Sequence, residues 1–334
     1  MKEKKQLKVF LLIAFILPYL LGILMGYAHY KGMDVSCFPN AQMYYPAAGV
    51  MVAILLLHKE DLLVPKRFYI CFIILTFIMV LLTVGSVLVP DMPGLMVMNY
   101  IIVLGSAVSW IFLLSESKEK RAAYGLRGTH IKTSIVLVTL FVVLYLGRIF
   151  LSSLLDGRLR ETLSIFKDPM FYAVTLSLPL NFFLVFTAFF GEEYGWRYYF
   201  TPYLQKYFGK IKGVLLLGVL WGIWHLPINV FYYSPDSWLQ SILAQQSTCI
   251  AIGIFFTYAY MKTNNIWVPV IMHFLNNNLI AALNYGSTSA ISNQLIGWND
   301  LIVLIVVNTI LFVPFILMKE YRHGKVEETE GNPL

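Results

Sequence analysis

Residues 171–197 read FYAVTLSLPLNFFLVFTAFFGEEYGWR. A predominantly apolar run from Phe171 to Phe190 is followed at once by Glu192, Glu193 and Arg197. About 20 apolar residues are enough to cross a bilayer as a helix. Ionisable side chains next to lipid are costly and usually mark a functional site. The stretch therefore predicts a membrane-spanning helix with reactive groups at one end.

The composition of the whole chain agrees with a membrane protein. Of its 334 residues, 58% are hydrophobic and 13% are charged, whereas soluble domains have about 45–50% apolar and about 25% charged residues. We expect an all-α polytopic membrane protein whose partners include membrane lipids. The net charge of +7 does not indicate nucleic acid, because most basic residues lie in short loops between apolar runs and not on one face.

Ten apolar runs are candidates for membrane spans. They cover roughly residues 8–29, 41–57, 68–89, 94–114, 133–153, 170–190, 211–233, 243–261, 266–285 and 300–318. We expect the sixth to continue as a helix past the membrane surface, through Glu192. With both termini in the cytoplasm, 20 of the 25 Lys and Arg residues lie on the inner side, which is the distribution that orients membrane proteins.

The polar loop at residues 115–132 divides the chain. We expect a four-span accessory region at 1–114, a six-span catalytic membrane domain at 133–318 and a cytoplasmic tail at 319–334. All of the candidate chemistry lies in the second region. Whether the first four spans are regulatory or structural is left open.

Helical geometry predicts different roles for the two adjacent glutamates. Glu193 and Arg197 are four residues apart, on one face, in the order that favours an ion pair. Glu192 lies about 100° further round the helix and is free to act. The alternative is a solvated, charged helix end just outside the lipid.

Two histidines lie well inside later apolar runs. His225 follows Trp221 by one helical turn, and Pro227 weakens the helix nearby, which can open a cavity. The alternative for His225 is an interfacial histidine beside belt tryptophans. His273 and Asn277 are also one turn apart, and such a pair can stabilise an oxyanion; the alternative is hydrogen bonding between packed helices.

Together these groups suit hydrolysis of an acyl bond. The sequence contains no serine nucleophile elbow, phosphate-binding loop, HExxH motif or dinucleotide glycine fingerprint. The order Glu-Glu-x-x-x-Arg, aromatic-x-x-x-His and His-x-x-x-Asn resembles the CAAX-protease and bacteriocin-processing family of the Rce1 prenyl-protein proteases and their Abi relatives. The resemblance covers roughly residues 170 to 285, and the matching residues are Glu192, Glu193, Arg197, Trp221, His225, His273 and Asn277. One departure is Trp221, where the family usually has Phe.

The resemblance implies a membrane-embedded endopeptidase of glutamate type. Glu192 would activate water as a general base, and His225 would help to hold and polarise that water. His273 and Asn277 would stabilise the tetrahedral oxyanion. In the same way, Glu193 and Arg197 would orient and tune the site.

The family has also been described as metal-dependent. Glu192, His225 and His273 would make a plausible zinc set by ligand type. We favour a mechanism without a cofactor, because an asparagine is a poor zinc ligand but a good oxyanion donor.

We therefore expect a multi-pass protease of a bacterial cell membrane, with a cytoplasm-facing cavity and a peptide or membrane-protein substrate. Candidate roles are processing of lipidated tails, peptide pheromones or bacteriocins, or self-immunity. Two alternatives stay open at this point: a proton-coupled transporter, since intramembrane Glu and His also serve as proton relays, and a non-catalytic membrane scaffold.

Overall fold

The computed structural model describes residues 2–89, 91–284 and 291–322, and within these residues every regular element is a helix. This confirms the all-α class. The first six helices are α1 (Lys2–Tyr30), α2 (Cys37–Leu57), α3 (Lys66–Leu88), α4 (Gly94–Ser115), the short α5 (Lys118–Ala123) and α6 (Ile131–Leu155).

The second half is arranged around a much longer helix. Its helices are α7 (Leu159–Ile165), α8 (Pro169–Phe208), α9 (Lys210–Trp224), α10 (Leu226–Tyr233), α11 (Trp238–Thr263), α12 (Trp267–Leu283), α13 (Trp298–Phe312) and the single turn α14 (Lys319–Arg322). Of the predicted tail, residues 323–334 lie outside the described part of the chain, as does residue 285 at the end of the ninth predicted run.

Nine of the ten predicted apolar runs each lie largely on one of these helices, and the run at 211–233 is divided between α9 and α10. By length and composition, eight of the described helices are suited to cross a membrane, and α9 with α10 makes a ninth although the pair bends by 42°. Helix α12 has only 17 residues, or about 26 Å at 1.5 Å per residue, which is shorter than a hydrocarbon core of about 30 Å. The structure thus gives eight or nine spans by this measure.

Helix α8 is the longest described helix and packs against α2, α4, α9 and α12. It runs for 40 residues, about 60 Å, so the prediction that the sixth helix continues through Glu192 is confirmed. From Phe186 to Thr201 every residue is buried. The backbone widens to π-helical hydrogen bonding over Tyr194–Phe200, a local feature that is frequent at functional sites.

Two glycines let α2 cross α8 at the double glutamate. A Cβ at Gly191 would collide with the backbone carbonyl oxygen of Met43, and a Cβ at Gly195 would collide with Pro46. Glycines one turn apart allow membrane helices to approach this closely. Helices α2 and α4 of the first region thus pack directly on α8, while the predicted division at residues 115–132 stays a prediction.

A similar crossing joins α9 to α11. A Cβ at Gly218 would lie 2.7 Å from the Cα of Ile250, and one at Gly222 would lie 2.5 Å from the side chain of Gln246. This contact holds the C-terminal end of α9, with His225, beside α11.

The bundle has two distinct ends. One end, called here the basic end, carries the connections at residues 58–65, 116–130, 209 and 264–266. The start of α1 lies there, since Lys206 Nζ is 3.0 Å from Glu3 Oε1. So does α14, since Lys262 Nζ is 3.5 Å from Glu320 Oε1. The opposite end carries the connections at 31–36, 156–168 and 234–237.

Candidate active site

A cavity of about 920 Å³ is lined by residues of α2, α6 and α8–α13. Its lining includes polar side chains that converge from helices distant in sequence. These are Glu192, His225, Gln245, His273, Asn276, Asn277 and Asn278. Trp221, Phe189 and Phe256 supply aromatic wall, as is usual in a binding site with a few placed polar groups.

Glu192 is 2% exposed and is held by two tryptophans. Its Oε2 accepts hydrogen bonds from Nε1 of Trp221 at 2.8 Å and from Nε1 of Trp196 at 3.3 Å. No side chain or backbone group among the described residues donates to Oε1. The carboxyl group is therefore fixed in orientation and keeps one oxygen for a water or substrate.

Glu193 and Arg197 form a fully buried ion pair behind the cavity. Nε of Arg197 is 3.1 Å from Oε2 of Glu193, and both side chains have no exposed surface. The guanidinium lies over the ring of Trp221, 4.3 Å from its centroid, with Phe256 at 5.3 Å. A buried charge needs a partner of this kind. The alternative of a solvated helix end is therefore wrong.

His225 caps α9 where the helix bends. Its Nδ1 lies 2.8 Å from the carbonyl oxygen of Trp221, which can only accept, so Nδ1 carries the hydrogen and Nε2 is left as an acceptor. Asn229 donates to the carbonyl oxygen of His225 at 3.0 Å, and Ser241 donates to Asn229 at 2.8 Å. At 6% exposure, His225 is buried in the bundle, which disfavours the interfacial alternative.

His273 and Asn277 stand one turn apart on α12 and line the same cavity. Nδ1 of His273 donates to Oε1 of Glu193 at 2.7 Å. Oδ1 of Asn277 accepts from Asn276 at 2.9 Å, so its Nδ2 remains available as a donor. Hydrogen bonding between packed helices, the alternative for this segment, is also present: His273 bonds to Glu193 of α8, and Asn278 accepts from Asn181 of α8 at 3.4 Å.

The structure thus brings all six predicted catalytic residues together. Glu192, His225, His273 and Asn277 line the cavity, while the Glu193–Arg197 pair supports it from behind. Sequence reasoning missed Trp196 as a donor to Glu192, although it stands four residues later on the same helix. It noted Trp221 only as a departure from Phe and did not predict that the indole N–H, which Phe lacks, donates to Glu192.

The described side chains show no cluster of metal ligands. Within residues 2–89, 91–284 and 291–322, no three His, Cys, Asp or Glu side chains are grouped closely enough to hold a metal ion. Glu192, His225 and His273 are therefore not arranged as the zinc set considered above.

The cavity opens away from the basic end. None of its described lining residues belongs to the connections of that end, whereas Asn40, Asp156, Tyr233, Gln294 and Asp300 line it from the opposite end. The predictions of a cytoplasm-facing cavity and of cytoplasmic termini therefore exclude each other. The reason is that α8 continues from Glu192 to Phe208 and closes the cavity towards the basic end.

Comparison with known proteins gives a match over the region that carries these residues. Residues 174–279 match the family model of Rce1-like, type II CAAX prenyl endopeptidases. The chain carries an Rce1-like region. This Rce1-like region contains Glu192, His225, His273 and Asn277, so the resemblance predicted from the three motifs is confirmed.

A curated relative matches over nearly the same length. CAAX prenyl protease 2 of Methanococcus maripaludis is 34% identical over 107 residues, which are 30% of this chain and 39% of the relative. The match thus spans well under half of either protein. No solved structure was found to match the chain. The Rce1-like region and the apolar helices make this an integral, multi-pass membrane protein.

Proposed function

We propose that the protein is a glutamate-type intramembrane endopeptidase. The observation that carries this proposal is the arrangement around Glu192: a buried carboxylate with one oxygen held by two indole N–H groups, its other oxygen free, and His225, His273 and Asn277 lining the same cavity. Hydrolysis of a peptide bond needs a base for water and donors for the developing oxyanion, and these residues supply both.

In the first step, Glu192 Oε1 takes a proton from a water molecule as the water oxygen attacks the carbonyl carbon of the peptide bond. The carbonyl π bond breaks and its oxygen becomes an oxyanion. His225 assists with Nε2, which can accept a second hydrogen bond from the same water because Nδ1 is engaged with Trp221 O. This pairing orients the water for attack.

The oxyanion is stabilised from α12. Nδ2 of Asn277 donates one hydrogen bond. With both ring nitrogens protonated, His273 donates a second from Nε2 while Nδ1 stays bound to Glu193. The tetrahedral intermediate then collapses, the C–N bond breaks, and the proton held by Glu192 passes to the leaving amine. Glu193 and Arg197 take no part in these transfers and position the imidazole.

The cavity suits a short peptide segment. Its volume lies at the upper end of the range of about 300–1,000 Å³ found for ligand sites, so it admits an extended stretch of chain and no folded domain. We expect this protein in a bacterial membrane, where prenylated proteins are not expected. We therefore infer that its substrate is a peptide or a membrane-protein tail without a prenyl group.

The test is cleavage of quenched peptides by purified protein in proteoliposomes. Glu192→Gln keeps the shape of the side chain but removes the base, and we expect the cleavage rate to fall by about 10²–10⁴-fold. Glu161→Gln, at an exposed position of α7, is the matched control and should cleave like wild type. Equal cleavage by wild type and Glu192→Gln would contradict the proposal, and uptake of peptide without any product would favour the transporter.

A chelator arm tests the absence of a cofactor. We expect the cleavage rate to be unchanged after dialysis against EDTA or phenanthroline. A loss of activity that added zinc restores would show that the residues rearrange around a metal in solution.

A further inference from the structure

The position of the cavity in the bundle bears on which side of the membrane supplies the substrate. Helices α11 and α12 run in opposite directions along the cavity. On α11, lining residues extend from Ser241 near the N-terminal end to Phe256, about 22 Å along the helix axis. On α12 they extend from His273 towards Ile280 and the C-terminal end. On both helices, the residues near Glu192 and His273 form the inner end of the cavity, called here the floor. The opening of the cavity, called here the mouth, lies at the end opposite to the basic end.

The floor is closed towards the basic end. Beyond Glu192, every residue of α8 as far as Thr201 is buried, and Arg197 fills the space beneath Trp221 and Phe256. About 10 Å of α11 separates Phe256 from the last residue of that helix, Thr263. A substrate therefore reaches Glu192 from the mouth and not through the basic end.

The mouth has its own polar rim. Nη2 of Arg158 lies 2.8 Å from Oδ2 of Asp156 and 3.7 Å from Oδ1 of Asp300. These contacts tie the connection after α6 to the first turn of α13. Charged and partly exposed side chains are costly next to lipid, so we expect this rim to face water.

The distribution of cations assigns the two ends to the two sides of the membrane. The connections of the basic end hold five Lys and Arg residues, which are Lys59, Lys118, Lys120, Arg121 and Arg127. Five more lie within two residues of these connections, namely Lys66, Arg67, Lys132, Lys210 and Lys262. The described connections of the opposite end hold Lys31, Arg158, Arg160 and Lys167. Cationic loops stay in the cytoplasm during insertion, which places the basic end on the cytoplasmic side.

We propose that the catalytic cavity opens on the non-cytoplasmic side of the membrane and takes a peptide segment that is exposed on that side. This rests on the proposed peptidase function for its substrate, but not for its orientation. The substrate class is a translocated peptide, or the external segment of a membrane protein, whose scissile bond descends into the cavity. Peptides confined to the cytoplasm are excluded from the site.

Cysteine labelling in intact cells tests the orientation without using activity. Leu295 at the mouth is 76% exposed, and Leu62 at the basic end is 82% exposed, so Leu295→Cys and Leu62→Cys form a matched pair. Lys167→Cys and Lys59→Cys, also exposed and on opposite ends, are a second pair in case one variant fails to fold. The parent chain, with two buried cysteines and one half-buried cysteine, is the blank.

With a membrane-impermeant maleimide, we expect labelling of Leu295→Cys and Lys167→Cys in intact cells. Leu62→Cys and Lys59→Cys should be labelled only after permeabilisation. The reverse pattern, or equal labelling of both ends in intact cells, would overturn the proposal.

Vesicles of defined orientation then separate the two proposals. A membrane-impermeant peptide added outside should be cleaved by right-side-out vesicles and not by inverted ones. Cleavage by inverted vesicles alone would support the peptidase function and contradict the proposal that the cavity faces outward. Outward labelling of Leu295→Cys, with no cleavage of any peptide in either orientation, would support the outward-facing cavity and count against the peptidase.

Discussion

His273 donates its Nδ1 hydrogen to Oε1 of Glu193 at 2.7 Å, although the two residues are 80 positions apart in the sequence. The bond joins α12 to α8 across the buried centre of the bundle. Because Glu193 also pairs with Arg197, the imidazole orientation depends on a charge pair that never contacts the cavity. The Glu193–Arg197 pair therefore links the stability of the bundle to the orientation of an imidazole that lines the cavity.

The first prediction separates these two effects. Glu193→Gln leaves the Arg197 guanidinium buried without its carboxylate, and breaking a buried pair in this way costs about 3–5 kcal/mol. We expect a clear drop in the melting temperature in detergent, together with loss of peptide cleavage. The double variant Glu193→Gln with Arg197→Met removes both charges and keeps apolar contact with Trp221 and Phe256. This double variant should regain most of the stability and stay inactive. If it cleaved peptide like wild type, the Glu193–Arg197 pair would not be needed to orient His273.

Several features of the fold and site follow directly from local sequence. The spacing of Glu193 and Arg197 predicts their ion pair, and the apolar run before Gly191 predicts the helix that carries them. The grouping of two histidines and an asparagine in later apolar runs predicts that they share a cavity. These features depend on helix periodicity and on the cost of burying charge. Both can be judged from the sequence of a single segment, without knowledge of how the helices pack.

The direction of the cavity could not be predicted in this way. It depends on which helix ends leave a gap when α12 packs against α8, when α6 packs against α11, α12 and α13, and when α13 packs against α11. No single segment encodes that gap. The Trp196 contact with Glu192 was missed for a related reason. Spacing places both residues on one face, but only the packed side-chain rotamer decides that the indole N–H meets the carboxylate.

The second prediction concerns the crossing of α2 and α8. A methyl group at Gly191 would collide with the backbone carbonyl oxygen of Met43, which cannot move aside as a side chain can. Overpacking of this kind costs about 1–3 kcal/mol, so Gly191→Ala should lower the melting temperature. In the matched control, Gly147→Ala on α6, the new methyl group meets nothing within 4 Å, and the melting temperature should stay level or rise. Equal effects of the two variants would show that the close approach is absent in solution.

The third prediction is a pH dependence at the basic end. The Tyr124 hydroxyl donates to Oδ2 of Asp61 at 2.6 Å, and this hydrogen bond holds the pKa of the Asp61 carboxyl below its usual range. A depressed folded-state pKa adds stability above the unfolded pKa of about 3.9, and that stability is lost as pH falls through the lower folded value. Asp61→Asn should therefore show a smaller fall in melting temperature between about pH 5 and pH 3 than wild type. An identical fall in both proteins would contradict this contribution.

The last prediction concerns Trp221, at the position where the family usually has Phe. Its Nε1–H donates to Glu192 at 2.8 Å, and a hydrogen bond to a charged group is worth about 1.5–3 kcal/mol. Trp221→Phe keeps an aromatic ring for Arg197 but removes this donor, so we expect kcat for peptide cleavage to fall by about tenfold or more, with KM little changed. Trp267→Phe is the matched control, because its indole donates to Leu126 O at 2.9 Å outside the cavity; kcat should stay near wild type. Equal losses in both variants would mean that Trp221 acts only through packing, and an unchanged kcat in Trp221→Phe would mean that Trp196 alone suffices to orient Glu192.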